Sequence, residues 1–118
     1  MMANAPTDMG IQYVEFGVDN IPAAKKFYGD AFGWTFQDWG PTYSSFTNAA
    51  LDGGFNGEEK EMVGRPLVIL YAVDLEGMIL RVQRAGGRIV RPIFSFPGGR
   101  RFHFADPAGN ELAIWSDK

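Results

Sequence analysis

The chain has 118 residues, 46% of them hydrophobic, and a formal net charge of −3: the length of one domain, 1–118, with enough apolar side chains for a core. No basic run exceeds two residues (Lys25-Lys26, Arg100-Arg101), which argues against nucleic acid as a partner, and the lack of cysteine excludes disulfides, thiolate metal sites and cysteine nucleophiles. The N-terminal residues lack the charged flank and apolar stretch of a signal peptide, and no apolar run reaches membrane-spanning length; the expectation is a soluble cytoplasmic protein with no membrane partner.

The elements come in two similar sets. Residues 1–9 are polar and read as a frayed tail. Ile11 to Val18 reads as a strand covered on both faces. Asp19 or Asn20 can cap a helix over 21–32, with Pro22 in its first turn and Gly33 at its end. Ala24, Phe27, Tyr28 and Ala31 give that helix an apolar stripe. Trp34–Trp39 and Tyr43–Asn48 read as a strand pair around Gly40-Pro41, and Ala50–Phe55 as a glycine-rich strand. Residues 56–65 are charged and join the halves. Leu67 to Val73 starts the second set, followed by a helix over 75–86 with a stripe of Leu75, Met78, Ile79 and Val82. Short strands follow near Arg88–Arg91 and Ile93–Phe96. Arg101–Ala105 and Glu111–Ser116 form a hairpin around the turn formers 106–110. The two Val-Asp steps, Val18-Asp19 and Val73-Asp74, lie 55 residues apart. The pattern is a duplicated unit with modules over about 10–58 and 66–117, and function in such a pair is expected between the copies.

Val18-Asp19-Asn20, Phe27-Tyr28 and Phe32-Gly33-Trp34 resemble the first module of the vicinal-oxygen-chelate superfamily, the group of glyoxalase I, bleomycin-resistance proteins, fosfomycin-resistance enzymes and extradiol dioxygenases. Asp106-Pro107-Ala108-Gly109-Asn110, followed by a strand ending in Ile114-Trp115, resembles that group's terminal hairpin. The resemblance covers about residues 11–117. It implies an α+β fold of two βαβββ modules forming a curved mixed sheet around a cleft, and a homodimer. Catalytic members of the group bind a divalent metal through His, Glu or Gln. The resemblance places those positions at Tyr13, Val68 and Ala113, with a fourth in 49–55, where Asp52 is the only ionisable group. Tyr, Val and Ala do not supply ordinary metal ligands, and one His with no Cys cannot build a two-His-one-carboxylate site within one subunit. The expectation is a cavity without the usual metal and without another cofactor.

Residues two apart share a strand face. With Tyr13 inward, Ile11, Glu15 and Gly17 follow; with Val68 inward, Leu70 and Ala72; with Ala113 inward, Glu111 and Trp115. The resemblance places His103, with Arg101 and Ala105, on the same inward face. Val14, Phe16, Val18, Ile69, Tyr71, Leu112 and Ile114 are then core. Glu15, a carboxylate in mid-strand, is either satisfied by Arg or backbone groups or is a catalytic group able to take a substrate proton. His103 is either a hydrogen-bonded strand histidine or Glu15's acid–base partner. Tyr13, Trp39, Tyr43, Phe46 and Trp115 offer an aromatic wall for a ligand, with core packing the alternative for Phe46. Arg101 suits an anionic ligand group, whereas Arg100 alternates outward to a solvated hairpin end. Gly53-Gly54 lacks the Lys-Ser/Thr of a phosphate loop and reads as close-packed backbone.

Three functions fit these residues. The first is a metal-free binder of a small organic molecule, resembling the bleomycin-resistance branch. The second is a lyase- or isomerase-type enzyme using Glu15 and His103, or a metal completed by another subunit. The third is a structural domain with a collapsed cavity.

Overall fold

A computed structural model describes residues 5–58 and 65–118, and the chain folds as two units. The described residues of Tyr13–Leu67 form the first; Pro6–Gln12 and Val68–Lys118 form the second. The inter-copy segment expected over 56–65 falls largely outside the described residues.

The first unit runs β1 (Ile11–Gly17, its first two residues counted with the second unit), α1 (Ile21–Phe32), β2 (Thr35–Asp38), β3 (Tyr43–Thr47) and β4 (Asp52–Asn56). Its strands lie in the order β2-β3-β4-β1, with β1 and β4 parallel and the other pairs antiparallel. The second unit runs β5 (Leu67–Tyr71, Leu67 counted with the first unit), α2 (Leu75–Arg84), β6 (Arg88–Phe96), β7 (Gly99–Ala105) and β8 (Glu111–Ser116). Its order is β5-β8-β7-β6, with β5 and β8 parallel. Each unit is a βαβββ module with a mixed sheet, the α+β architecture expected from the sequence.

The helices begin where the sequence supplies a cap. Asn20 accepts the Ala23 N–H at 2.9 Å, and Asp74 accepts the Gly77 N–H at 3.0 Å. Gly33, at φ 75°, ends α1. The α1 stripe is narrower than its periodicity suggests. Ile21, Ala24 and Tyr28 pack with Phe16, Phe46 and Phe55, whereas Phe27 is 59% exposed and meets Tyr28 edge-on at 5.0 Å. Phe46 is therefore core. Burying a ring such as Phe55, at 0% exposure, is worth about 1.5–3 kcal/mol. The α2 stripe holds in full: Leu75, Met78, Ile79 and Val82 pack with Phe102 and Ile114, though the helix ends at Arg84 rather than 86.

Three further expectations are corrected. Leu70 and Ala72 pack in the core beneath α2, whereas Tyr71 meets Trp115 edge-on at 5.2 Å, so inward and core residues of β5 are exchanged. The cause is a single residue. The caps Asn20 and Asp74 lie 54 positions apart, not the 55 of the Val-Asp steps, and a one-residue slip turns every strand side chain to the other face. Aligned on the caps, the counterpart of Tyr13 is Leu67, not Val68. Residues 7–10 are not frayed: Met9 N–H donates to the Tyr71 carbonyl at 2.8 Å, and Asp8 accepts the Val73 N–H at 3.0 Å. The two short strands expected over 88–96 are one strand, β6, with register shifts on both sides of Arg91.

Candidate functional site

Both units carry a polar face opposite the helix. On the first, the parallel register sets Tyr13 beside Asp52 and Glu15 beside Gly54. The Tyr13 and Tyr43 hydroxyls meet at 2.8 Å. Tyr43 donates to Glu15 Oε2 at 2.9 Å, and Asn56 Nδ2 donates to Glu15 Oε1 at 3.2 Å. Glu15 is thus a buried carboxylate that accepts from a phenol and an amide. Burial, and then the charge of Glu15, push the Tyr43 phenol well above its usual range, so it stays a donor. The close approach of both hydroxyls is possible because position 54 is glycine: a Cβ there would lie 2.6 Å from the Tyr13 oxygen and 2.7 Å from that of Tyr43. Trp39 stands apart from this chain of hydroxyls. It is half-exposed, and its indole N–H donates to Ser45 Oγ at 2.9 Å.

On the second unit, His103, Arg101 and Trp115 share one face, as the hairpin register requires: Arg101 pairs with Trp115 and His103 with Ala113. His103 is 1% exposed. Its Nδ1 meets Glu111 Oε2 at 2.8 Å, while Nε2 is buried with no hydrogen-bond partner among the described residues. Burial lowers the imidazole's pKa; the Glu111 contact opposes this, and Arg101 and Arg91 reinforce it. A neutral ring facing a carboxylate carries its proton on Nδ1. Nε2 is then a bare acceptor. The Arg101 guanidinium lies 5.3 Å from the Phe94 ring centre and 5.9 Å from that of Phe96. The Trp115 indole donates to Gln12 at 3.1 Å. Arg100, by contrast, is tied to Glu76 on α2.

The partner that the structure gives His103 is thus Glu111. Glu15 belongs to the other unit and has its own partners. Sequence reasoning placed Glu111 on the inward face but gave it no role. The signal was available: across the 106–110 turn, antiparallel register sets position 111 diagonal to position 103. Arg91 and Phe94, beside His103, were missed because a bulge in β6 is not visible as alternation.

The donors at the expected metal positions do not fit a transition ion. The side chains of Ala113, of Val68 and of Leu67, which takes Val68's place in the cap alignment, offer no donor atom. The Tyr13 phenol is engaged by Tyr43. Asp52 is the one carboxylate in the open fourth segment. Among the described residues, no group of three His, Cys, Asp or Glu side chains gathers to hold a metal ion.

Comparison with known proteins agrees with this architecture. The sequence model of the glyoxalase/bleomycin resistance protein/dioxygenase superfamily matches residues 10–114. The anthracycline biosynthesis protein DnrV of Streptomyces peucetius is 26% identical over 124 residues, covering 87% of this chain and 45% of that protein. A putative glyoxylase, CFP32, of Mycobacterium bovis is 26% identical over 121 residues, covering 87% and 44%. The chain therefore spans about half the length of these relatives. The crystal structure of methylmalonyl-CoA epimerase from Mycobacterium tuberculosis superposes with a TM-score of 0.71 at 16% identity, covering 97% of this chain and 93% of the other.

Proposed function

The chain belongs to the glyoxalase/bleomycin resistance protein/dioxygenase superfamily, and from that premise we propose that it binds a small organic molecule at His103, without the superfamily's usual metal. One observation carries this reading: Nε2 of His103 is buried and has no partner among the described residues, while Glu111 fixes the opposite nitrogen. Leaving a polar atom buried and unpaired costs about 1–3 kcal/mol. A ligand hydroxyl or N–H donating to Nε2 removes that cost on binding. The Phe94 ring, 5.8 Å from the imidazole centre to centre, supplies an apolar neighbour for the ligand body.

A second reading is favoured by the same dyad. A neutral imidazole oriented by a carboxylate is arranged as a general base. Nε2 would take a proton from an acidic C–H or O–H of the bound molecule, and Glu111 would stabilise the imidazolium formed. This keeps the lyase or isomerase alternative, with Glu111 in the place first considered for Glu15.

The test is a thermal-shift screen of small organic molecules, followed by calorimetric titration of the strongest ligand into the wild type and His103→Gln. The variant is expected to bind about tenfold more weakly, the scale of a hydrogen bond to a desolvated group. Equal affinity would remove His103 from the site. Conversion of the ligand by the wild type alone would select the enzymatic reading.

A further inference from the structure

We infer that the molecule seated on His103 is a small organic anion, a carboxylate that also carries a hydroxyl or N–H group, and that Arg91 holds the carboxylate. This rests on the His103 reading above and names its ligand class.

Arg91 stands directly opposite His103 in the β6–β7 register, and directly opposed residues project from the same sheet face. Phe94 is opposite Arg101. Between these two pairs β6 takes three steps where β7 takes two. In a regular strand positions 91 and 94 would face opposite ways; the extra residue, next to Pro92, brings both onto the face of His103. Bulges are found next to sites where a side chain must be re-aimed. Here the re-aimed side chain is a guanidinium, centred 3.6 Å from the middle of the Phe94 ring. Stacking uses the flat face of the guanidinium and leaves its N–H edge for an acceptor. Among the described residues Arg91 makes no ion pair, and Glu111 is already engaged by His103. The guanidinium edge and the bare Nε2 therefore form a pair: a donor fork for an anion beside an acceptor for a hydroxyl or N–H. One guanidinium fork matches a singly charged carboxylate.

The chain has one histidine, so its imidazole ¹⁵N signals report on His103 without assignment work. Tag-free protein would be titrated with mandelate, with its uncharged amide mandelamide, and with inorganic phosphate. Mandelate is expected to shift the His103 signals saturably, and mandelamide only at about tenfold higher concentration. Arg91→Gln should bring mandelate to the mandelamide level. Arg91→Lys, which keeps the charge but not the fork, should fall between them. Equal potency of acid and amide in the wild type would overturn the anion assignment and leave the His103 reading standing. Undiminished mandelate binding by Arg91→Gln would overturn the role of Arg91. A response to phosphate as strong as that to mandelate would overturn the carboxylate. No shift with any of the three up to about 50 mM, the range in which fragments of this size bind, would remove both the inference and the reading beneath it.

Discussion

His103 is one side chain with two different nitrogens, and the difference has a consequence for stability. Burial, the leading cause, holds its folded-state pKa below the ordinary 6.5. Above about pH 6.5 the ring is neutral folded or unfolded, and it adds no pH dependence. As pH falls through that value the unfolded chain takes up the proton first. Folding stability is therefore lost downward from about pH 6.5 until the folded-state pKa is passed. Urea unfolding at about pH 7.5 and about pH 5 should show a larger drop for the wild type than for His103→Gln; parallel drops would contradict the assignment. On the first unit, Glu15 accepts from Tyr43 and Asn56, so Glu15→Gln sets an amide N–H₂ against one of these donors. The substitution should destabilise by about 1–3 kcal/mol in urea melts. An unchanged or raised stability would mean that these contacts are weaker than their geometry implies. The sequence located Glu15 and His103 on the right strands. It did not reveal Tyr43 and Asn56 beside the first or Glu111 beside the second, because such contacts are fixed by cross-strand register and not by the alternation of one strand.

Elements were legible where local chemistry decides them and less so where register does. The start of α1 could be read from Asp19-Asn20, of which Asn20 is the cap, that of α2 from the Val73-Asp74 step, and the α2 stripe from its spacing, because caps and stripes depend on neighbours a few residues away. The face of β5 was misread because the Val-Asp repeat is one residue longer than the repeat of the caps. The bulge in β6 was not legible at all, since only pairing with β7 reveals three steps against two. Gly53-Gly54 reads in the sequence as close-packed backbone, strand or turn; it is strand, and the structure adds the reason for Gly54: β4 must let two tyrosine hydroxyls approach its backbone. Gly54→Ala would force those hydroxyls apart. It is expected to destabilise the protein by about 1–3 kcal/mol, as overpacking does, and to change the near-ultraviolet tyrosine spectrum. A variant with wild-type stability would show that the Tyr13–Tyr43 contact is not held by the glycine.

At the scale of the whole molecule, the duplicated βαβββ plan was legible from the paired strand-helix patterns and the terminal hairpin, and the family match over residues 10–114 agrees with it. The segment before β1 was not: residues 9 and 10 hydrogen-bond to Tyr71 through backbone groups, which no side-chain pattern records. No helix among the described residues is long and apolar enough to cross a membrane. The donor set also bears on the family's metal. Dialysis of tag-free protein against Mn²⁺, Ni²⁺ or Zn²⁺, followed by elemental analysis, should leave well under about 0.1 equivalent bound, since tight sites need three or more N, S or charged O donors. The most direct test of the binding proposal is a crystal structure with the strongest thermal-shift ligand soaked in. The expected result is a ligand O–H or N–H within about 2.6–3.2 Å of His103 Nε2, with no metal ion between ligand and protein. A ligand seated away from His103, or bridged to the protein by a metal, would contradict it.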